Sequence, residues 1–367
     1  MKEVDVAIVG GGLAGLALAI QCAKDGFRVV VFEKDDYPRH KVCGEYISHE
    51  STPFLKELGV PLDAMELPQI DTFRLTSHHH VVAECALKPG GFGLSRFALD
   101  ALLAEQATQA GAEVQTQTRV NHVEGDVETG FLLRTVHGDE CRARVALGAW
   151  GRHGGLAAPL KSGASWVGFK YHLDEGPESR AIEIHAFAQG YAGVSRVEGD
   201  RWCMAYLCRS EALQACGNDV KRLEDECLSA NPYLAERLQA RKVVGPLATS
   251  RFHFGVTPPH ALPTLGDGAG FIPPISGNGM SLALRGAKRT HGLVQGLLHG
   301  TMSPHTFARQ HRTYANTYLN RRIAQGRMLQ GVLTLQPDWL NAALIRSFSR
   351  MPFALRSMTT LATGNTI

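Results

Sequence analysis

The sequence contains no CxxC pair and no set of cysteines and histidines at zinc-ligand spacing. That sets aside the zinc-ribbon and thioredoxin-like classes, and no metal is expected. The eight cysteines, at 22, 43, 85, 141, 203, 208, 216 and 227, are spread through 367 residues. In a chain of that length they read as reduced thiols in a reducing, cytoplasmic compartment. Pro and Gly break the uncharged stretches before they reach membrane-spanning length, so no transmembrane helix is expected. The first apolar run begins by Val4, and no signal peptide is expected either. A net charge of +3 provides no basic field for nucleic acid, and no such partner is expected. Charged residues are only 20% of the chain against 44% hydrophobic, enough apolar material for one large or two modest globular domains.

What the chain does have is concentrated at its start. The apolar run Val4–Val9 ends in Gly10-Gly11-Gly12-Leu13-Ala14-Gly15, and Leu13, Leu16, Ala17 and Ile20 then recur at helical spacing. A second apolar run, Val29–Phe32, ends in Glu33 with Lys34 beside it. Strand, glycine turn, helix, strand and acid in that order form the dinucleotide-binding fingerprint in its required context. Gly10 permits the tight turn, Gly12 lets a pyrophosphate approach the backbone, and Gly15 lets helix and strand pack closely. The helix N-terminus offers free N–H groups to the phosphates. Glu33 is placed to accept adenosine ribose hydroxyls. By itself the fingerprint does not separate NAD from FAD.

Beyond Glu33, Pro38 and the surrounding charges mark a loop, and Arg39 and Lys41 on it are placed to neutralise a pyrophosphate. Residues 50–70 read as helix and then loop, and Thr72–Ala86 as a strand pair. His78-His79-His80 invites a metal reading, but three successive side chains on a strand cannot all point at one ion. Helical periodicity covers Phe97–Ala110, closed by Gly111. Strands are expected near Glu113–Thr118, Phe131–Val136 and Ala143–Ala149, the last running into Trp150-Gly151-Arg152. From Ala164 to Leu207 the pattern alternates and is rich in aromatics, which predicts an antiparallel sheet. Trp166, Phe169, Tyr171, His185, Tyr191, Trp202 and Tyr206 on it are the candidate wall of a substrate pocket, with His185 a candidate acid or base. Helices are expected near Asp219–Ala230, Tyr233–Arg241 and Ser281–Leu298, and after Ser303-Pro304, where Phe307, His311, Tyr314 and Tyr318 form a packing stripe. From Thr301 onward there are eight arginines, no lysine and one acid, Asp338. Such helices read first as a solvated face; they also admit peripheral contact with an anionic membrane or an acidic carrier protein.

Between Pro263 and Met280 a second glycine-rich pattern appears: Gly266-Asp267, then Pro274-x-x-Gly277-x-Gly279 at the start of a long helix. Together with Gly10-x-Gly12-x-x-Gly15, Glu33 and Arg96-x-x-x-Asp100, these segments resemble the FAD-dependent oxidoreductases of the aromatic-hydroxylase type. That superfamily also holds geranylgeranyl reductases and flavin-dependent halogenases. The segment Tyr37-Pro38-Arg39-x-Lys41-x-Cys43-Gly44-Glu45 is most similar to the reductase branch.

The resemblance covers most of residues 1–300 and implies an α/β fold with FAD as cofactor. A Rossmann-like FAD-binding domain would comprise 1–72, 90–160 and 255–300, an antiparallel β-sheet substrate domain 73–89 and 161–254, and a helical segment 301–367. Arg96 would approach the pyrophosphate or ribityl chain, and Asp267 the ribityl hydroxyls. Gly277, Asn278, Gly279 and Met280 would lie against the flavin ring. Cys43, Gly44 and Glu45 would sit near the ring or the pocket mouth, Cys43 and Glu45 as candidate catalytic groups. Two departures stand out. Trp150 occupies the place of an aspartate in Gly148-Ala149-Trp150-Gly151, and Ser281 that of an asparagine after Met280. The halogenase Trp-x-Trp-x-Ile-Pro signature is absent; Gly190–Ser195 stands where it is expected. No second GxGxxG is present, so an NAD(P)H reductant would bind transiently across the same pocket.

The expected activity is that of an NAD(P)H-dependent monooxygenase hydroxylating a hydrophobic aromatic or polyketide-like secondary metabolite. The alternative is a flavoenzyme like the geranylgeranyl reductases, reducing or dehydrogenating carbon–carbon bonds of a lipid or carrier-bound substrate. A non-catalytic flavin-binding protein ranks last, because Gly277-Asn278-Gly279 is intact.

Overall fold

Alternating apolar residues and glycine turns build two large sheets among the described residues, beside a short ribbon that pairs Gly255–Val256 with Gly270–Phe271. The computed structural model describes residues 2–78, 81–153, 156, 165–176, 179–239, 242–257, 260, 262–335 and 338–362. In chain order the strands are β1 (Lys2–Val9), β2 (Val29–Phe32), β3 (Tyr46–Ser48), β4 (Gln69–Ser77), β5 (Val81–Gly93), β6 (Glu113–Gln115), β7 (Val120–Asp126), β8 (Gly130–Thr135) and β9 (Glu140–Gly148). They continue with β10 (Trp166–Leu173), β11 (Ala181–Phe187), β12 (Gly190–Val197), β13 (Arg201–Arg209) and β14 (Val243–Phe252).

The first sheet runs β6–β2–β1–β9–β8–β7. Its β2, β1 and β9 pair in parallel, with Val9 level with Phe32 on one side and Gly148 on the other. The adjoining stretches Val6–Val9, Val29–Phe32 and Val145–Gly148 are apolar and buried, as a sheet covered on both faces requires. Helix α1 (Leu13–Lys24) starts at the glycine turn and is buried along almost its whole length. A Cβ on Gly15 would stand 2.1 Å from the Gly10 carbonyl oxygen, so only glycine lets α1 lie this close to β1. Gly10 itself has φ +111°, open only to glycine without strain.

The second sheet runs β14–β10–β13–β12–β11–β4–β5–β3 and is antiparallel except for the β11–β4 pair. It takes in Tyr46–Ser48 and begins β4 at Gln69, so it reaches beyond the segments 73–89 and 161–254. One face carries an apolar cluster that includes Phe169, Tyr171, Trp202 and Tyr206, covered by α4 (Ser210–Ala215), α5 (Val220–Leu223) and α6 (Pro232–Gln239). Helix α2 (Thr52–Glu57) is shorter than residues 50–70 allow, and α3 (Arg96–Gln109) matches the helical periodicity. Strand β7 has no alternating apolar signal; it forms by pairing with β8 at the sheet edge. The run before Gly266 makes only a bridge, Thr264 to Gly148, instead of a strand.

Helix α7 (Gly279–Leu298) packs on α1, and α8 (Pro304–Tyr314) begins with the Ser303 hydroxyl accepting the Thr306 N–H. Helices α9 (Asn320–Leu333), α10 (Asp338–Arg350) and α11 (Pro352–Ala362) follow. Leu333, Ala342, Ile345 and Leu355 from these helices join Leu75, Val81, Ala83 and Cys85 of the second sheet in one core. Among the described residues no helix is long and apolar enough to cross a membrane. None of the eight cysteines is disulfide-bonded. His78 donates to the Ala230 carbonyl at 2.9 Å; His79 and His80 lie outside the described residues.

Glu183 shows what holds the second sheet to its helices. Fully buried, it accepts from Arg74 of β4 at 2.8 Å and from Arg237 of α6 at 3.1 Å. Burial alone would push its carboxyl up, but the His185 hydrogen bond and charge and the Arg237 guanidinium hold it down at about 2. A depressed carboxylate pKa stabilises the fold above the unfolded value and loses that contribution as pH falls through the folded value. The wild-type melting temperature is therefore expected to fall steeply between about pH 4.5 and 2. Glu183→Gln, which leaves two arginines without their carboxylate, should cost about 3 kcal/mol at pH 7 and flatten that acid limb. Thermal melts across pH check both; an unchanged acid limb would remove Glu183 from the account.

Candidate functional site

The fingerprint turn, the 39–45 loop, the Gly266-Asp267 turn and the start of α7 open into one cavity of about 640 Å³. Every cofactor-binding residue expected from the sequence lines it except Gly15, which packs behind the turn.

At one end lies Glu33, nearly buried. Its carboxylate accepts the N–H groups of Gly11 at 2.8 Å and Asp35 at 3.0 Å, and pairs with Arg39 at 3.1 Å. A carboxylate offers about four acceptor positions, so one remains for a ribose hydroxyl. Arg39 is thereby committed to Glu33 and Asp35 at the adenosine end. Lys41, the other basic residue of this loop, lies at the Gly12 turn. The fully buried Asp100 carboxylate accepts from Lys41 Nζ at 2.6 Å and from Arg96 Nε and Nη2 at 2.7 and 2.8 Å. Burial pushes Asp100 up, but Arg96 and Lys41 outweigh it and hold it below the usual carboxylate range. Two cations on one carboxylate leave a net positive charge. A Cβ on Gly12 would meet only Lys41 Nζ at 3.8 Å and Arg96 Nη2 at 3.9 Å. This is an open, cationic cradle over a glycine backbone, which fits a pyrophosphate.

Farther along, Gly277 caps a short turn in the left-handed region at φ +62° and hands the chain to the N-terminus of α7. Gly279 and Met280, in the first turn of that helix, line the cavity. A twenty-residue helix directs its positive end at whatever lies there. Asp267 sits opposite, its carboxyl pushed up by burial against the charges of Arg152, Arg96 and Lys41. Ser281 makes a buried 2.9 Å bond to Ser51, tying α7 to the start of α2. Trp150 lays its indole over Gly148, where a Cβ would clash at 2.3 Å, and meets His260 edge-on at 5.3 Å.

Glu45 fixes the loop between these ends. Fully buried at φ +55°, it accepts the Arg96 N–H at 3.0 Å, Lys170 Nζ at 2.8 Å and His172 Nε2 at 2.6 Å. Burial pushes this carboxyl up; the His172 hydrogen bond and the Lys170 ammonium outweigh it and hold it low. Ser195 and Cys203 bind the Gly44 and Cys43 carbonyls at 3.1 and 3.3 Å, laying the loop on the sheet. Glu45, His172 and Cys203 converge closely enough to resemble a metal set. The chemistry opposes that reading: the Lys170 ammonium already occupies the cation's position, and burial raises the Cys203 thiol far above its ordinary value.

Of the candidate catalytic groups, Cys43 lines the cavity and His185 does not. Burial pushes the Cys43 thiol up, against Arg96, so it is a neutral thiol beside the cavity and not a poised nucleophile. His185 does not line the cavity. Strand alternation turns Ile182 and Ile184 toward it and sends Glu183 and His185 to the opposite face, where His185 Nδ1 meets the Thr76 hydroxyl at 2.8 Å. The same alternation corrects the aromatic wall. Phe169, Tyr171, Trp202 and Tyr206 belong to the helix-covered face, with the Tyr171 and Tyr206 hydroxyls on Glu224 at 3.1 and 2.9 Å. Of that set, Tyr191 and Tyr206 line the cavity, Tyr191 from a pocket-facing strand position. The cavity floor is paved instead with Gly168, Gly193, Ser195 and Ala205. Registers place Gly193 between Ile184 and Ala205, and Gly168 beside Leu207. Arg119 and Arg152 are charged lining residues that the sequence reading did not place in its site.

The family model described as FAD binding domain matches residues 3–169. Residues 3–169 therefore carry an FAD-binding domain of that family. It is 26% identical over 308 residues to a digeranylgeranylglycerophospholipid reductase of Thermoplasma volcanium, covering 77% of this chain and 76% of that one. It is 23% identical over 324 residues to conditioned medium factor receptor 1 of Dictyostelium discoideum, covering 77% of this chain but only 62% of that longer protein. Among solved structures, the flavin-dependent brominase Bmp2 superposes with a TM-score of 0.79 at 16% identity, over 98% of this chain and 93% of that one.

Lys41→Met keeps the length of the side chain and removes the ammonium. A charge-assisted hydrogen bond of about 1.5–3 kcal/mol predicts a loss of FAD affinity of roughly tenfold or more. Fluorescence titration of FAD into wild type and variant, with circular dichroism as the folding control, measures it. Equal affinities would place the pyrophosphate elsewhere.

Proposed function

We propose that this FAD-dependent oxidoreductase is an NAD(P)H-dependent monooxygenase acting on a planar, hydrophobic aromatic or polyketide-like secondary metabolite. One observation carries the reading: the cavity runs without a break from the dinucleotide cradle to a floor of Gly168, Gly193, Ser195 and Ala205, walled by Ile182, Ile184, Phe252 and Phe271. A floor without long side chains leaves room for a flat ring stacked parallel to the sheet. When bound, FAD supplies hydride acceptance and activation of dioxygen. The protein's share is to bind, orient and exclude water. Lys41 and Arg96 would hold the pyrophosphate, Asp267 would take the ribityl hydroxyls, and the Gly279–Met280 amides would favour negative charge on a ring bound there. Apolar walls keep water from the reacting atoms. Neither Cys43 nor His185 is set up for nucleophilic or acid–base work, which suits a reaction whose hard chemistry belongs to the cofactor. NAD(P)H enters the same cavity transiently. Trp339 and Phe353, 64% and 70% exposed beside the exposed Arg346 and Arg350, support peripheral contact with an anionic membrane or a carrier that delivers the substrate.

A second reading, reduction of carbon–carbon double bonds, is favoured by Cys43-Gly44-Glu45 and by the 26% identity to the digeranylgeranylglycerophospholipid reductase. Likeness to the brominase at 16% identity concerns the fold alone, and Trp-x-Trp-x-Ile-Pro is missing.

The test reduces the FAD-loaded protein anaerobically with NADH or NADPH and then admits ¹⁸O-labelled dioxygen. The probes are 1-naphthol, an anthraquinone, indole and geranylgeranyl diphosphate. Labelled oxygen in an aromatic product is the expected result. Saturation of the prenyl probe with no oxygen uptake would overturn it in favour of the reductase.

A further inference from the structure

Lys41 and Arg96 are anchored on Asp100 beside the glycine turn, and Arg39 pairs with Glu33 and Asp35, its Nε buried without a partner among the described residues. Arg152 is placed differently. It lines the cavity on the turn after β9, with its side chain 18% exposed. Its guanidinium carbon lies 4.1 Å from the centroid of the Phe252 ring and 4.7 Å from that of Phe271. The two rings stack on each other at 5.4 Å and 28°, so together they form a ledge that fixes the guanidinium plane. Its paired acid, Asp267, stands 3.6 Å from Nε, beyond hydrogen-bond length. Nη1 is shielded from solvent and has no hydrogen-bond partner among the described residues. Burial pulls the guanidinium below its ordinary value, and Asp267 opposes this. A buried N–H donor left unsatisfied is costly, and it keeps its full strength for a ligand that supplies an acceptor.

We propose that Arg152 recognises a carboxylate on the substrate, which makes the substrate class a planar aromatic or conjugated acid. The inference rests on the flavoenzyme reading and deepens it. Phe252 joins the ledge to the floor: a Cβ on Gly168 would stand 2.3 Å from its ring. An acid held by the open edge of Arg152 can therefore extend its ring across the small-residue floor. Planar bidentate pairing suits a carboxylate better than a neutral amide, because both oxygens accept and the charge is opposite. The same chemistry has a second source, the phosphates of a nucleotide. Those of the cofactor already have Lys41, Arg96 and the α1 N-terminus, with Arg96 near enough to Arg152 for the two guanidinium charges to repel.

The experiment titrates the FAD-loaded protein by calorimetry with benzoate, with benzamide as its neutral isostere, and with ADP as the phosphate source. Wild type, Arg152→Gln and Arg152→Lys are compared, and FAD affinity is measured for each. Benzoate is expected to bind wild type at least tenfold tighter than benzamide. Arg152→Gln should erase that preference, Arg152→Lys should restore part of it, and FAD affinity should change less than twofold. Equal binding of benzoate and benzamide to wild type, or none of either, overturns the proposal. A tenfold loss of FAD or ADP affinity in Arg152→Gln with the benzoate preference intact also overturns it, by giving Arg152 to a nucleotide phosphate. Wild type that takes up no FAD strikes the flavoenzyme reading instead; the benzoate preference is then read on the unloaded chain.

Discussion

The Glu45 carboxylate is the joint on which this structure depends. It carries no solvent exposure, and its three bonds run to two separate elements: the first turn of α3 through the Arg96 N–H, and β10 twice, through Lys170 and His172. The loop that carries Glu45 also carries Lys41 and Cys43. A single buried anion therefore sets the distance between the nucleotide cradle and the second sheet. A buried charge that loses its partners is destabilising by several kcal/mol, so the loop has little freedom to slide. Through Arg96 the constraint reaches Asp100, and through Asp100 it returns to Lys41. The two sheets and the dinucleotide end of the cavity share one hydrogen-bonded frame.

The parts of the site that were legible in the sequence are those whose function is written in backbone geometry. Gly10, Gly12 and Gly15 must be glycine for local reasons: a φ of +111°, a phosphate approach and a 2.1 Å contact to a carbonyl. Such reasons act within a few residues and leave a pattern that needs no tertiary knowledge. The antiparallel nature of the second sheet was legible in the same way, from alternation. Which face of that sheet meets the cavity was not. Alternation is symmetric, and both faces are buried here, one by α4–α6 and the other by the loop and cofactor end. Large aromatic residues drew attention to the wrong face because packing against helices demands volume, whereas a ligand floor demands its absence. Glycine and alanine at Gly168, Gly193 and Ala205 carry no signal of their own until the register aligns them.

Long-range pairing accounts for the remaining surprises. Arg39 and Lys41 are two residues apart and equally basic, yet Glu33 captures one and Asp100 the other. Only the fold decides which carboxylate lies within reach. The departures at Trp150 and Ser281 likewise acquire a reason from their neighbours. The indole occupies space that Gly148 leaves empty, and the serine hydroxyl finds Ser51. Both side chains make their contacts inside the protein.

The paved floor also bears on how the scaffold can change its diet. Gly168 is locked, since any side chain there would enter the Phe252 ring. Gly193 is not: an added Cβ would meet the Ile184 methyl at 3.6 Å and the Ala205 carbonyl oxygen at 3.7 Å, ordinary contact distances. The two glycines look identical in sequence, but one is a keystone and the other a vacancy. A lineage descending from this chain can shorten its cavity one methyl at a time at Gly193, with no rearrangement of the sheet, of the Glu45 joint or of the cradle.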